Sequence, residues 1–275
     1  MSLAKEWRTF TAVFIRNIKL FTAYKAWIIA TIIWPIPLLA LNIYTYSALG
    51  TPDDVSQAFT QYGYPFAGSI VVGTIVYLLY NRLLWGTGIS IQRERWMGTI
   101  EVLFLTPTNK MTILLASGVS SLVEASWWIA CIFFLGGAIF GLQPNINSVP
   151  AVAISIVSTM AALIAVGVFF AGFFVLTRAA DQLASGLQAP IRFFSGVAFP
   201  VGALPQMFQY VSYLIPVTYG ILVLRKAVLQ GANMASLWLD LLPLYIVAAI
   251  FMIAGYATLR IVERRAKKKG TLYLI

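Results

Sequence analysis

The chain has 275 residues, of which 60% are hydrophobic and only 10% are charged, whereas soluble domains carry about a quarter charged residues. This composition excludes an ordinary water-soluble domain. The sequence contains no histidine, which excludes imidazole general bases, Ser-His and Cys-His nucleophilic pairs, and most zinc or haem ligation. A single cysteine, Cys131, allows no internal disulfide.

The first 25 residues predict an amphipathic helix. Its apolar side chains recur at steps of three or four residues: Trp7, Phe10, Phe14, Ile18 and Phe21. Its basic side chains fall on the other side: Lys5, Arg8, Arg16 and Lys19. Such a helix is expected to lie flat on the cytoplasmic leaflet. It acts either as an anchor alone or as an active part in moving the bundle, and the pattern leaves both open.

Long apolar stretches follow, and a membrane-crossing helix needs about 20 mostly apolar residues to cover about 30 Å of hydrocarbon. Five stretches meet this length plainly: residues 27–47, 65–91, 111–142, 149–177 and 238–262. The apolar stretch 183–224 is too long for one helix and is interrupted by prolines and glycines. We predict one further span at 183–199, followed by a broken segment at 201–224.

The positions of the 19 Lys and Arg residues favour this threading. With six spans, 15 basic residues lie inside and only Arg225 and Lys226 lie outside; a second crossing within 183–224 changes the ratio to 11 against 6. The positive-inside rule therefore predicts six spans with both termini cytoplasmic. The segment 201–224 is then re-entrant from the outer side, as short helices broken at prolines. The net charge of +10 is therefore explained by the membrane topology and by attraction of basic residues to anionic lipid, and nucleic-acid binding is not expected.

We thus expect an all-α integral membrane protein with a single transmembrane domain over residues 1–275. It comprises an interfacial helix at 1–25, a six-span bundle at 26–262 and a basic cytoplasmic tail at 263–275. The expected location is the cell membrane of a prokaryote.

The cytoplasmic connection between the second and third spans has a charged start, Gln92-Arg93-Glu94-Arg95, and then a short amphipathic pattern closed by Pro107. This pattern predicts a short helix at the membrane surface. A membrane protein that receives force from a soluble motor needs such a lever, with polar and apolar contacts for a groove.

Two motifs carry a resemblance. Residues 94–107 read E-R-W-M-G-T-I-E-V-L-F-L-T-P, which resembles the coupling-helix signature E-R-E-x-G-T-L-E-x-L-x-x-T-P of the type-2 ABC exporter permeases. Residues 199–205 read F-P-V-G-A-L-P and residues 213–219 read Y-L-I-P-V-T-Y, similar to that family's elements after span five. The six-span plan agrees over nearly the whole chain, and Trp96-Met97 is the departure, because relatives more often carry a charged residue there.

The resemblance implies a permease that pairs with a second permease copy, identical or a paralogue, and binds two copies of a separate ATP-binding subunit. ATP and Mg would then be on that subunit, and this chain would hold no cofactor or metal. The ATPase-coupling residues it implies are Arg93, Glu94, Arg95, Gly98, Thr99, Ile100, Glu101, Leu103, Phe104 and Pro107. The outer-gate residues it implies are Phe199, Pro200, Leu204, Pro205, Tyr213, Pro216 and Tyr219. The chain has no G-x-x-x-x-G-K-[ST] phosphate loop, so we expect a transport subunit rather than an enzyme.

Three ionisable residues fall within predicted spans: Arg82, Glu124 and Arg192. Each costs about 2.5–3.5 kcal/mol in a membrane unless it is paired or hydrated. We hypothesise that Glu124 pairs with Arg82 or Arg192, which leaves one arginine free to face a cavity or an anionic substrate. The alternative is that all three are structural pairs or reach outward to the interface.

The leading interpretation is an exporter of a drug, lipid or glycan-like substrate, driven by the partner ATPase. One alternative is a membrane-embedded enzyme acting on lipids, but the sequence has no histidine and only one acid deep in a span. Another is a passive channel or scaffold, for which a motor-docking lever has no use.

Overall fold

The computed structural model describes residues 3–49, 56–57, 59–106, 108–175, 177 and 179–269. Within these ranges the regular secondary structure is helical throughout, as expected for an all-α membrane protein. Five of the described helices are long and apolar enough to cross a membrane, or six if one sharply bent helix pair counts as a single span.

The predicted interfacial helix is α1 (Leu3–Ala23), and the first predicted span is divided between α2 (Lys25–Ile33) and α3 (Pro35–Leu49). The break falls at Pro35, because proline has no N–H to donate to the preceding turn. The apolar segment Ile28–Tyr46 still provides 19 residues across this break, about enough for one crossing.

The second predicted span is the central helix of the bundle, α4 (Phe66–Leu83), which continues into a π-helical turn (Leu84–Gly88). Nearly all of α4 is buried. A Cβ added at Gly86 in the π turn would lie 2.8 Å from the Cβ of Ser121, so glycine allows this turn to pack directly on a neighbouring helix. Two short helices follow, α5 (Ser90–Trp96) and α6 (Ile100–Leu105).

The third and fourth predicted spans are α7 (Lys110–Phe140) and α8 (Val149–Val175). Helix α7 begins at Asn109, whose side chain accepts a hydrogen bond from the Met111 N–H at 3.0 Å. It ends at Gly141, where φ is 69°, a left-handed conformation that favours glycine.

The fifth predicted span, at 183–199, differs from the structure. The helix there is α9 (Ala180–Phe194), with 15 residues, or roughly 22 Å at 1.5 Å per residue. It is not among the helices that are long and apolar enough to cross. Polar residues in its first turns, including Asp181 and Gln182, reduce its apolar length, and the chain turns at Gly196 with a φ of 77°.

The predicted broken segment consists of a 3-10 turn (Val201–Ala203), α10 (Gln206–Tyr213) and α11 (Pro216–Leu229). Helices α10 and α11 meet at 93° and form the bent pair. Prolines precede or open each piece, as the sequence predicts. The last predicted span is α12 (Met234–Lys269), which at 36 residues extends well beyond the length that a bilayer requires.

The core surrounds α4, with α7, α8 and α11 packed against it. Helix α12 packs along α8 at a close approach: a Cβ added at Gly255 would lie 2.7 Å from the backbone nitrogen of Phe169. Small residues at such positions allow membrane helices to approach each other closely. The result is a bundle in which α5 and α6 are held at one end.

Candidate functional site

The connection between α4 and α7 folds as a pair of short helices, α5 and α6, which we call the α5–α6 hairpin. Gly98 joins them with a φ of 70°, and a Cβ added there would meet nothing within 4 Å. Glycine is therefore required for its conformation and not for space. The Thr99 N–H donates to the Glu94 carbonyl at 2.9 Å and closes the turn.

Glu94 is the buried centre of this hairpin. Its Oε1 accepts from Arg16 Nη1 at 2.9 Å, and its Oε2 accepts from Thr99 Oγ1 at 2.6 Å. One carboxylate thus joins α1 to both halves of the hairpin. Because the Arg16 side chain is 49% exposed, the ion pair itself contributes at most about 1 kcal/mol, and its main effect is to position α1.

Two cations fasten the hairpin to the bundle. Arg95 donates to the Val175 carbonyl at 2.9 Å, at the carboxyl end of α8. Lys110 Nζ donates to the carbonyls of Leu103 at 2.5 Å and Thr106 at 3.1 Å, at the carboxyl end of α6. Basic groups are favourable at helix carboxyl ends, where carbonyls lack helical partners. Both helices of the hairpin are therefore held to the bundle.

The two faces of the hairpin differ. Ile100 is buried against Leu114 and Val168 in the bundle. The other face exposes large apolar side chains, each more than half exposed: Trp96, Met97 and Val102. Sequence reasoning treated Trp96-Met97 only as a departure from the family pattern, whereas the structure makes the pair part of an exposed apolar face.

The remaining predicted coupling residues have separate positions. Glu101 and Phe104 lie in α6, and Pro107 lies outside the described residues. Arg93 donates to the Trp85 carbonyl at 3.2 Å. Burial and the nearby Arg16 guanidinium lower the pKa of Arg93, and Glu94 partly opposes this shift.

Helix α1 is attached along α7 as well as to Glu94. Asn17 Nδ2 donates to Ser120 Oγ at 2.9 Å, and Thr112 Oγ1 donates to Glu6 Oε2 at 2.6 Å. Three rings stack along its apolar side: Trp7, Phe10 and Phe14. The amphipathic helix is thus bound to the bundle by polar contacts near the α5–α6 hairpin, in addition to its apolar stripe.

One of the two hypothesised pairs of intramembrane charges is present in the structure. Arg82 and Glu124 form an ion pair between α4 and α7. Glu124 is buried, so the pair satisfies a carboxylate that would otherwise be costly in the membrane.

Arg192 has neutral partners. Its guanidinium donates to the side-chain oxygen of Asn42 and lies 5.8 Å from the ring centroid of Tyr77. It lines a cavity of about 430 Å³ with Tyr77, Gln188 and Phe199. Arg192, the arginine that Glu124 leaves without a carboxylate partner, thus lines a cavity.

Arg225 is one of the two basic residues that the sequence places on the outer side, beyond the re-entrant segment 201–224, and the structure shows that it lies within a helix, α11. Its side chain is fully buried in α11. It donates to the Ser69 carbonyl at 2.9 Å and to the Gly196 carbonyl at 2.8 Å, and lies 5.8 Å from the ring centroid of Tyr64. Carbonyls of the turn after α9 provide acceptors that a sequence pattern does not reveal. The available signal was a lone arginine in an otherwise apolar helical run.

The predicted outer-gate residues lie at the two ends of α10: four precede the helix, and three lie at the α10–α11 bend. Tyr219 donates its hydroxyl to the Tyr213 carbonyl at 2.8 Å, Pro216 opens α11, and Leu204 is buried. Phe199 and Pro200 precede the 3-10 turn, and Pro205 precedes α10. A buried bond from Thr218 Oγ1 to the Ser212 carbonyl, at 2.7 Å, also crosses the bend.

The structure thus combines an apolar helical bundle with a short helical hairpin, α5–α6, that is bonded to one end of the bundle. This is the architecture of a membrane protein with an ordered connection between two of its long helices. The model of the ABC-2 type transporter family matches residues 8–229, most of the chain. The chain therefore belongs to the ABC-2 type transporter family and is an integral membrane protein of the permease type.

Curated relatives agree with this assignment. One is the "Probable multidrug ABC transporter permease YbhR" of Escherichia coli strain K12, 23% identical over 175 residues, which are 63% of this chain and 47% of that relative. Another is the "Inner membrane transport permease YhhJ" of the same strain, 25% identical over 174 residues, which are 60% of this chain and 44% of the relative. The chain thus aligns with less than half the length of these relatives.

Proposed function

We propose that the chain is the transmembrane subunit of an ATP-driven exporter and that a separate ABC ATPase subunit docks on the α5–α6 hairpin. The single observation that supports this most is the asymmetry of the hairpin. One face is fixed to α8, α7 and α1, while Trp96, Met97 and Val102 present apolar surface outward. Exposed apolar patches with polar surroundings are typical of protein interaction sites.

The contacts between the hairpin and the bundle provide a route by which a motor moves the bundle. A push on the exposed face is carried by Arg95 to the end of α8 and by Lys110 to the start of α7. Glu94 carries it to α1 through Arg16. Because these contacts join the hairpin to three different helices, movement of the hairpin shifts the helices together instead of bending a loop.

The assembly we propose has two permease copies, identical or paralogous, and two ATPase copies that carry ATP and Mg. The hairpin and both termini face the cytoplasm, as the distribution of basic residues favours. The α10–α11 bend lies on the outer side and gates the exit. The substrate is a drug, lipid or glycan-like molecule, and the cavity beside Arg192 favours one that carries a negative charge.

Docking is tested by purifying the tagged chain in mild detergent from its native host and identifying the proteins that co-purify. We expect a nucleotide-binding subunit whose ATP hydrolysis is present in the complex. The variant Val102→Glu should lose this subunit, because a charge in a desolvated interface is costly.

The matched control is Val149→Glu. Val149 is also strongly exposed but lies at the first residue of α8, where a carboxylate is favourable for the helix dipole. This variant should keep the subunit. A chain that purifies alone and conducts ions would instead support a passive channel, and equal retention in both variants would contradict docking at the hairpin.

A further inference from the structure

A second cavity, of about 470 Å³, lies between the end of α1, the π turn and α7. Its deep part carries Arg82 and Glu124, and Arg93 lines it from α5. Its other side is apolar and aromatic, with Phe21 and Tyr24 near the junction of α1 and α2. The cavity is thus polar on one side and apolar on the other.

The charges that line this cavity do not cancel. Arg82 and Glu124 neutralise each other as an ion pair, and Arg93 adds a positive charge. The excess positive charge in this partly enclosed lining attracts an anion more strongly than it would in open water, because the effective dielectric constant is lower.

The position of α1 determines what can enter. Asn17 and Ser120 line the cavity and also bond to each other at 2.9 Å, so α1 covers the cavity while it is attached to α7. Tyr24 and Ala26, at the α1–α2 junction, form its exposed margin. A ligand that enters there from the bilayer keeps its tail in hydrocarbon and inserts only its head.

We propose that this cavity is a binding site for one amphiphile with an anionic, phosphate-bearing head group. The head group lies against Arg93 and the Arg82–Glu124 pair, and the acyl tail leaves past Tyr24 and Ala26. The site is separate from the cavity beside Arg192. It requires only that the chain is in a membrane, so it does not depend on the proposed transport function.

The test measures binding of short-chain lipids to the full-length chain purified in detergent, by native mass spectrometry. The probes are dioctanoyl phosphatidylglycerol, which is anionic, dioctanoyl phosphatidylcholine, which is zwitterionic, and inorganic phosphate. We expect one phosphatidylglycerol per chain, bound roughly tenfold more tightly than phosphatidylcholine, the scale of one unit charge at partial exposure. Inorganic phosphate should bind far more weakly because it has no tail.

Charge variants at the exposed margin separate an electrostatic site from a change in folding. Tyr24 is 67% exposed, so Tyr24→Lys and Tyr24→Glu should both fold. The lysine variant should bind phosphatidylglycerol more tightly and the glutamate variant more weakly. Arg93→Gln should weaken binding by roughly tenfold.

Steric variants locate the site. Ala26→Trp fills the margin of the cavity and should abolish binding, whereas Ala23→Trp, at the end of α1 and outside the lining, should not change it. Equal affinity for both lipids, changes of the same sign in the two Tyr24 variants, or equal loss in both tryptophan variants would each overturn the proposal. Inorganic phosphate that binds as tightly as the lipid would show an anion site without the amphiphile, and would also overturn it.

Discussion

The Arg82–Glu124 pair joins α4 to α7 inside the bundle, and its removal has a calculable cost. Glu124→Gln keeps the shape of the side chain but removes its charge, so the Arg82 guanidinium stays in the bundle without a counter-charge. Loss of one partner of a buried ion pair costs about 3–5 kcal/mol, and an unpaired charge in a span costs about 2.5–3.5 kcal/mol on insertion scales. Because the Arg82 side chain is 22% exposed, we expect the lower part of this range, about 3 kcal/mol.

The double variant Arg82→Met, Glu124→Gln removes both charges. Its cost should be small, because replacement of a buried ion pair by uncharged side chains of similar volume is often neutral or better. The predicted order of stability is therefore wild type close to the double variant, and both well above Glu124→Gln alone.

The assay is thermal unfolding in detergent, followed by size-exclusion chromatography of the surviving folded protein. A loss of about 3 kcal/mol corresponds to a fall in melting temperature of roughly 6–12 °C for a chain of this size. The variant Lys5→Gln, which also removes one charge but at an exposed position in the first turn of α1, is the control and should change the temperature little. If the double variant melts as low as the single one, the stabilising effect does not come from the pairing of these charges.

Three further changes have distinct outcomes. Gly98→Ala should lower the stability of the fold by about 1–2 kcal/mol, since a residue with a Cβ is strained at a φ of 70°. Gly98→Asn should lower it less, because asparagine tolerates that region, and the melting temperatures of the two variants check this order. Arg16→Ala should change stability by less than about 1 kcal/mol because the pair is half exposed, yet amide hydrogen exchange in α1 should increase, whereas Arg8→Ala should leave it unchanged. Gly255→Val should destabilise the protein by about 3 kcal/mol through overpacking, because the added Cβ would meet the Phe169 backbone, and the melting temperature should fall. An unchanged melting temperature would refute close packing of α8 on α12.

The helices that the sequence predicts well are those whose apolar runs exceed the membrane length. Residues 111–142 and 149–177 predict α7 and α8 within two residues at each end, because uninterrupted apolar runs leave no competing structure. The prediction at 183–199 extended five residues beyond the end of α9 at Phe194, since apolar content alone does not show where a helix stops. Where the helix ends depends on the turn at Gly196, a tertiary feature.

Some of the site residues were likewise predictable from the sequence and others were not. Depth along two helices allowed Arg82 and Glu124 to be considered as a pair, because both positions could be measured from the sequence by helical rise. The role of Glu94 as a joint between α1 and the hairpin was not predicted, because it depends on where α1 lies. The burial of Arg225 was not predicted for a related reason: its acceptors are backbone carbonyls at residues far away in sequence, and backbone acceptors carry no compositional signal.

The arginines inside the bundle can be ordered by how their charge is satisfied. Arg82 has a carboxylate, so it is neutralised and its main contribution is to hold α4 to α7. Arg225 has only carbonyl and aromatic partners, but it is fully enclosed, so no ligand reaches it and it holds the α11 segment to the turn after α9. Arg192 also has neutral partners, yet it lines an open cavity. Its charge is neither neutralised by a carboxylate nor sealed in the core, and a partly buried cation in that condition attracts an anion. Of these three arginines, Arg192 is therefore the one whose removal should change ligand affinity more than folding.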